Sequence, residues 1–461
     1  MFETIRNALK IKDVRKKIFM TILFIIIFRL GCYITIPGLQ MIDFGDNDTS
    51  IFGLLDSITG SALSQGTLFS LGISPYINAS IIVQLLTVAI PALERMSKEG
   101  EEGREKINKI TRWVTLVLAL ISAIGVFLTL NSRYDYVNKA WLGGQFADFF
   151  GDTGGQWIMG IYVVLMLVGG SMLCMWIGER ITEFGVSNGI SLLIFTGIVA
   201  TAAQQLVKTI AGGKWVEALI FVAELILVFG FIVWVDGAER KIKVQYAKQV
   251  KGNKMYGGQS TFIPIKVNAS GVMPLIFAYA LMSFPTMLIS TFWQGSNFDI
   301  WWTRWMTATQ TGHAAGDVVG TIVYNVVLAI LIFVFAYFYS QIQFNPVEIS
   351  RNIQNNGGFV TGIRPGRETA EYLQKVVSRI TLWGAIFLAI IAFIPSILFQ
   401  IPSWVSGGAI GQASGLISSF STTGMLICVS VALEFDKALE NQILMRHYKG
   451  LLGSNKKGFL S

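Results

Sequence analysis

Residues 51–96, IFGLLDSITGSALSQGTLFSLGISPYINASIIVQLLTVAIPALERM, decide the fold of this chain. They contain a short amphipathic segment, residues 52–64, and a long apolar run, residues 73–92, separated by a turn region at 66–72. The first segment is shorter than the ~20 apolar residues that a helix needs to cross a bilayer. Backbone that does not span is tolerated at membrane depth only where protein or a water-filled cavity surrounds it. The stretch therefore predicts a re-entrant half-helix beside a passage.

The composition is that of a polytopic membrane protein. Of the 461 residues, 53% are hydrophobic and 14% are charged, whereas an average soluble domain has about 25% charged residues. The basic N-terminal segment leads into an apolar run long enough to remain as an anchor, so we expect the chain to be inserted rather than exported. The spacing of Cys32, Cys174 and Cys428 indicates buried thiols rather than a metal site or a disulfide framework.

Ten segments are long and apolar enough to be predicted as membrane spans. They lie near residues 18–36, 73–93, 112–131, 157–176, 188–211, 216–236, 271–292, 318–342, 377–398 and 413–434. Most of the 36 lysines and arginines fall in the N-terminal segment, in alternate loops and in the tail. By the positive-inside rule, both termini are cytoplasmic. The sequence thus predicts an all-α polytopic membrane protein.

Two loops on the basic side are long enough to fold. Residues 237–270 alternate in KIKVQYAKQV and STFIPIKV on either side of Gly257-Gly258, which predicts a β-hairpin. Residues 344–376 contain a tight turn at Arg364, Pro365 and Gly366, followed by the start of a helix at 369–377. Ordinary topogenic loops need only a few charges near the span ends. These basic protrusions therefore favour docking of a partner, although a purely topogenic role is the alternative.

Few ionisable residues lie within the spans, the candidates being Arg29, Glu224 and Glu434. Ion-coupled transporters use such residues as relays, but a single Glu224 is more typical of a structural pair or a partner contact. The sequence has no P-loop, HExxH, GxSxG or paired-carboxylate pattern. We therefore expect no enzymatic activity, no cofactor and no metal, and any transport must draw its energy from elsewhere.

Isoleucines recur at helical spacing in two predicted spans. Ile73 and Ile77 share one face of the second span, and Ile190 and Ile194 share one face of the fifth. Apolar residues at this spacing are normally core or lipid contacts, and spacing alone does not decide between that role and a pore lining.

Five long motifs resemble the SecY family, the channel subunits of the bacterial protein-export translocase. They occur in order along nearly the whole chain: LGISPYINASIIVQLLTVAIP, KEGEEGREKINKITRW, IGERITEFGVSNGISLLIFTGIV, YAKQVKGNKMYGGQSTFIPIKVNASGVMPLIFA and FNPVEISRNIQNNGGFVTGIRPGRETAEYL. The resemblance implies ten transmembrane helices in two inverted five-helix halves around a central pore, with a re-entrant plug helix. The halves correspond to residues 1–211 and 212–434, and residues 435–461 form a cytoplasmic tail.

The resemblance also implies roles for individual residues. A ring of apolar side chains at the pore waist matches Ile73, Ile77, Ile190, Ile194, Ile276 and Ile427. The plug, residues 52–64, would sit beneath this ring and be held by few contacts; it includes Phe52, Gly53, Leu54, Leu55, Ile58, Gly60 and Leu63. The lateral gate matches Asn78, Gln84 and Phe284. The surface that docks the SecA motor ATPase or the ribosome matches Arg240, Lys241, Lys248, Arg364 and Arg367.

The implied function is the passage of unfolded secretory polypeptides across the bacterial plasma membrane, with lateral release of transmembrane segments into lipid. The implied partners are SecE, SecG, SecA, the ribosome, preproteins with their signal sequences, and the lipid bilayer. The main alternative is a secondary transporter of small solutes, a class also built of inverted repeats and broken helices. Sparse intramembrane charge and folded basic loops argue against it. A structural scaffold, the third possibility, leaves the re-entrant segment unexplained.

Overall fold

The computed structural model describes residues 6, 8–42, 56, 59–134, 147–213, 215–246, 249–251, 254–256, 260–267, 273–293, 295–306, 318–398 and 422–457. Its first helices are α1 (Lys12–Gly31), α2 (Ser74–Ala89), α3 (Pro91–Lys98), α4 (Glu101–Tyr134), α5 (Ala147–Phe184), α6 (Gly189–Ala211) and α7 (Trp215–Asp236). Four strands follow: β1 (Glu239–Tyr246), β2 (Gln249–Lys251), β3 (Lys254–Tyr256) and β4 (Ser260–Lys266). The remaining elements are α8 (Met273–Phe292), α9 (Asn297–Met306), α10 (Val318–Gln343), α11 (Pro346–Asn355), β5 (Gly358–Val360), α12 (Arg367–Leu398) and α13 (Thr422–Lys457).

Each predicted span overlaps a helix of the described residues, but the bounds differ; the first span, predicted at 18–36, is wrong at its end, because α1 ends at Gly31 and residues 32–36 are not helical. By length and composition, five helices in the described residues can cross a membrane, or six if the bent pair α2 and α3 counts as one span. The apolar cores of α7 and α8, Leu225–Val235 and Met273–Ile289, are shorter. The chain is thus a helical protein with several membrane-spanning helices, and the count of ten spans remains a prediction.

The predicted second span is wrong at its end. Instead of continuing to residue 93, α2 ends at Ala89, and the chain bends by 105° into α3. The cause is Pro91, since the ring of a proline disfavours helical backbone in the residue before it. Ile90 accordingly has extended torsion angles, φ −107° and ψ 114°.

Most of the helices share one apolar core. We call it the central cluster; its buried side chains come from α1, α2, α5, α6, α7, α8, α10, α12 and α13, among them Phe28, Ile181, Ile198, Leu275 and Ile332. A second cluster joins α4 and α5 to Leu63 at the end of the predicted plug and to the segments before and after the plug, through Ile36, Leu71, Val126 and Leu167. Because both predicted halves contribute to the central cluster, the helices pack around a common centre.

A small sheet lies outside the helical core. Strand β1 pairs antiparallel with β4 and also with β5, which gives the order β4-β1-β5. The predicted hairpin is therefore confirmed, but its turn is displaced. Strands β2 and β3 pair with Lys251 opposite Lys254, so the chain reverses between these two residues. The predicted turn at Gly257-Gly258 is wrong in position, and those two glycines lie outside the described residues.

Candidate functional site

Six isoleucines belong to the central cluster or pack against it. Ile73, Ile194, Ile276 and Ile427 are buried there, and Ile77 and Ile190 are partly buried against the same cluster. They come from four helices. Ile73 is the N-cap residue of α2, and the others lie in α2, α6, α8 and α13. Gly178 in α5 makes room for two of them: a Cβ on this glycine would lie 3.3 Å from Cδ1 of Ile73 and 3.5 Å from Cγ1 of Ile190. The structure thus places all six predicted ring residues in one apolar cluster, and their arrangement as a ring stays a prediction.

A ring of these six isoleucines would have the chemistry of a seal. Branched aliphatic side chains offer no hydrogen bond to water or to a peptide, and an apolar constriction can close by dewetting. Such side chains also adapt to a neighbour of changing size, because their contacts are non-directional. The arrangement can therefore exclude water when empty without binding a passing chain.

The predicted plug is described in part. Phe52, Gly53, Leu54, Leu55 and Ile58 lie outside the described residues, whereas Asp56 and Thr59 are helical. The expected helix to residue 64 is wrong beyond Thr59, because Gly60 and Ser61 have positive φ angles of 76° and 65° and the chain turns there. Positive φ ends a right-handed helix and is tolerated best by glycine.

Contacts at the end of this segment are many, so the expectation of few contacts is wrong for residues 59–63. Thr59, Ala62 and Leu63 are all buried. The carbonyl oxygen of Ala62 accepts hydrogen bonds of 3.0 Å from the hydroxyls of Thr67 and Ser70. Backbone bonds from the strand-like stretch after α1 hold the same region, Ile36 N to Gly66 O at 2.9 Å and Ile42 N to Ser64 O at 2.7 Å. Residues 62–70 are therefore a fixed base from which the preceding residues extend.

Gly60 marks the junction between this base and the helical part. A Cβ at Gly60 would clash with Nη1 of Arg29 and would lie 3.3 Å from the carbonyl oxygen of Gly197. Asp56, one turn earlier, accepts a 2.7 Å hydrogen bond from the backbone of Ser64. Burial raises the pKa of the Asp56 carboxyl, while the hydrogen bonds from Ser64 and the charge of Lys208 oppose the rise. The segment therefore carries a half-buried carboxyl close to a tight backbone contact.

Helix α8 lies against both α2 and α4, and α10 lies against α8. The predicted gate residues Asn78, Gln84 and Phe284 are half-buried on α2 and α8. The amide of Gln84 donates to Ser80 Oγ within its own helix, over 3.2 Å. Among the described residues, no hydrogen bond from Asn78 or Gln84 crosses to α8, so this seam lacks a polar clasp on that side.

The two basic loops form one unit. Ile242, Val244 and Ile265 of the sheet pack with Val360 and with α11 and α12 around a separate apolar core. The link between the loops is β5, which the sequence reasoning missed because a strand of three residues is too short to show an alternating pattern.

The predicted docking residues lie on this unit. Arg240 and Arg364 are exposed and have no ion-pair partner among the described residues. Lys241 is 3.1 Å from Glu239, and Arg367 is 3.0 Å from Glu371. The turn that carries Arg364 is braced by Thr369 Oγ1, which donates to the Arg364 carbonyl over 2.8 Å. Lys248 lies outside the described residues.

A further ion pair was not anticipated from the sequence. Arg112 in α4 donates from Nε and Nη2 to the two carboxylate oxygens of Glu179 in α5, over 3.0 and 2.7 Å. Such bidentate pairs fix the relative position of the two groups as well as attracting them. Within the described residues, no group of histidine, cysteine, aspartate and glutamate side chains could hold a metal ion.

Comparisons with known proteins agree with this geometry. The SecY family model matches residues 67–435. The protein translocase subunit SecY of Corynebacterium glutamicum is 39% identical over 97% of this chain and 99% of its own length.

Solved structures share the fold at lower identity. One described as the structure of a protein conducting channel matches with a TM-score of 0.65 and 17% identity, over 93% of this chain and 92% of that one. Sec61 in the canine ribosome-channel complex from the endoplasmic reticulum matches with a TM-score of 0.62 and 16% identity, over the same shares. Because both the family model and the full-length relative match, the chain belongs to the SecY family of channel-forming protein translocase subunits, which are not enzymes.

Proposed function

We propose that this chain passes unfolded secretory polypeptides across the plasma membrane through a pore whose waist is a ring formed by the six isoleucines. As a SecY-family member it is a channel subunit. The observation that carries the proposal is the convergence of Ile73, Ile194, Ile276 and Ile427 with Ile77 and Ile190, from four helices far apart in sequence. Each is a residue without polar atoms in its side chain, so the ring seals the empty pore and yields to a chain passing through it.

The plug closes the pore, and residues 62–70, the fixed base, hold its C-terminal end. In this mechanism residues 52–59 move away when a polypeptide enters, while residues 62–70 stay in place. The positive φ angles at Gly60 and Ser61 support a hinge at this junction, and the burial of Leu63 supports an immobile base. The plug named from the sequence is thereby shortened at its C-terminal end.

Transmembrane segments leave sideways along the seam of α8 and α10 against α2 and α4. An apolar segment gains by moving from the pore into lipid, because each buried CH₂ group contributes about 0.8 kcal/mol. The absence of a hydrogen bond from Asn78 or Gln84 to α8 among the described residues supports a seam that opens without breaking a strong contact.

The proposed architecture is ten spans in two inverted halves, residues 1–211 and 212–434, with both termini in the cytoplasm of a bacterial cell and the tail, residues 435–461, on the same side. SecE and SecG are the proposed membrane partners. The distribution of lysine and arginine supports this orientation.

Energy for translocation comes from SecA or from the ribosome, docked on the folded basic unit. Arg240 and Arg364 are the proposed anchors, since exposed guanidinium groups bind phosphates and carboxylates in bidentate fashion. The match to a channel described in a ribosome complex supports a ribosome as one partner. The brace on the Arg364 turn supports a rigid contact.

The proposal is tested by reconstitution. The chain is placed in proteoliposomes with SecE and SecG, and a preprotein is added with SecA and ATP, or with a non-hydrolysable ATP analogue as the control. We expect protease-protected preprotein only with ATP. If no preprotein enters while SecA and SecE are shown to be active, the channel assignment is refuted, and uptake of small solutes would then be measured.

A further inference from the structure

A cavity of about 700 Å³ lies where the last turns of α10 meet α12. Two contacts between the helices bound it: Ser340 Oγ lies 2.8 Å from Thr381 Oγ1, and the Tyr337 hydroxyl donates to the Ser378 carbonyl over 3.3 Å. Its volume is in the range of about 300–1,000 Å³ that is usual for small-ligand sites. None of the residues assigned above to the ring, the plug, the gate or the docking surface lines it.

The cavity is positively charged. Lys375 and Arg379 line it from successive turns of α12, four residues apart and therefore on one face of the helix. Glu371 also lines it, but its Oε1 is 3.0 Å from Nε of Arg367, which compensates its charge. In the described part of the chain, neither Lys375 nor Arg379 has an ion-pair partner. Two cations therefore line the cavity without forming an ion pair with any described residue.

The cavity lies where the surfaces of both helices change from apolar to polar. On α10, Ile330 and Val334 are 56% and 57% exposed, and the next positions on that side, Tyr337 and Gln341, line the cavity. On α12, Trp383 is 66% exposed and Arg379 lies one turn before it. Exposed aliphatic side chains followed by tryptophan, tyrosine and cations mark the boundary between hydrocarbon and headgroups. From this pattern we expect the opening to lie at headgroup level.

We propose that this cavity binds the phosphate group of an anionic phospholipid. Arg379 contacts the phosphate through its planar fork and Lys375 contacts it as a point charge. The amides of Gln341 and Gln374, which also line the cavity, donate to the remaining headgroup oxygens. The acyl chains lie along the exposed sides of α10 and α12. In other membrane proteins, basic pockets between transmembrane helices bind the headgroups of anionic phospholipids.

The test is native mass spectrometry of the purified chain with SecE and SecG, with phosphatidylglycerol or phosphatidylcholine added. We expect the complex to retain phosphatidylglycerol selectively. The double variant K375Q/R379Q is expected to bind it about 30-fold more weakly, because each cation near a membrane surface contributes about 1 kcal/mol and 1.4 kcal/mol is a factor of ten. Unchanged binding in this variant would overturn the proposal.

Two controls separate the cavity from general basicity. The variant K16Q/K17Q removes two exposed cations at the start of α1, and we expect it to keep phosphatidylglycerol binding. The variant Q374W fills the cavity but keeps both cations, and we expect it to lose phosphatidylglycerol binding. Retention of binding by Q374W would show a surface effect and overturn the proposal.

Two further measurements distinguish other occupants. If inorganic phosphate at millimolar concentration displaces the lipid, the site recognises free phosphate instead. If only a cytosolic protein protects Lys375 from acetylation, the occupant is a protein. Either result would also overturn the proposal.

Discussion

A polar substitution at the buried centre of the ring tests how the pore is sealed. Ile194 is 3% exposed in the central cluster. In I194N, the closed pore buries an amide without a partner, which costs about 1–3 kcal/mol, whereas water hydrates that amide when the pore is open. At about 2 kcal/mol, and 1.4 kcal/mol per factor of ten, the ratio of closed to open channels falls about 30-fold.

The assay for I194N is ionic conductance across planar bilayers in the absence of substrate, together with export of a reporter that has a defective signal sequence. We expect both to rise. I194V keeps an apolar side chain and should conduct like the unaltered chain. I332N is the matched control, since Ile332 is fully buried in the same cluster but outside the ring. A rise of equal size in I332N, or none in a folded I194N, would refute the sealing role.

Three further outcomes are expected. The variant R364E should abolish SecA-driven export without affecting insertion or folding, because it reverses the charge of the proposed anchor. Normal export would exclude docking there. The control for charge reversal is R304E, which changes an exposed arginine of α9 outside the folded basic unit. The variant G60A should raise substrate-free conductance about tenfold. Left-handed backbone costs a non-glycine residue about 1–2 kcal/mol, and the added Cβ clashes with Arg29. The control is G100A, which should leave conductance unchanged because Gly100 has a φ of +83° but nothing within 4 Å of an added Cβ. Because burial raises the pKa of Asp56, the seated plug favours the neutral carboxyl and is less stable once the carboxyl ionises. Conductance should therefore fall as the pH is lowered toward that pKa, and D56N should remove this pH dependence. An identical pH profile in D56N would contradict the assignment.

The sequence predicted those features that depend on local patterns. The positions of the helices followed from the length of their apolar runs, and the pairing of β1 with β4 followed from their alternation. The helix beginning near residue 369 was also predicted, and α12 begins at Arg367, directly after the glycine of the turn. These elements are determined by neighbours in the chain, so a single sequence contains the information.

Features that depend on packing were predicted less well. The bend at Pro91 had a visible signal, but the apolar run on either side of it concealed the break. The predicted plug was expected to be held by few contacts because of its small residues, yet such residues also permit the close approach of Arg29 and Gly197 to Gly60. Spacing alone did not decide the role of the isoleucine pairs. Their assignment to a ring came from the family resemblance, and only the fold shows them in one cluster.

The central claim is that a translocating polypeptide passes the six isoleucines, and site-specific crosslinking tests it most directly. The native Cys32, Cys174 and Cys428 are first replaced by serine, and single cysteines are then introduced in I194C, I276C and, as the lipid-facing control, I330C on α10. A preprotein with one cysteine is stalled during SecA-driven import. The account predicts disulfide crosslinks at positions 194 and 276 and none at 330. Crosslinks at 330 but not at 194 or 276 would contradict it.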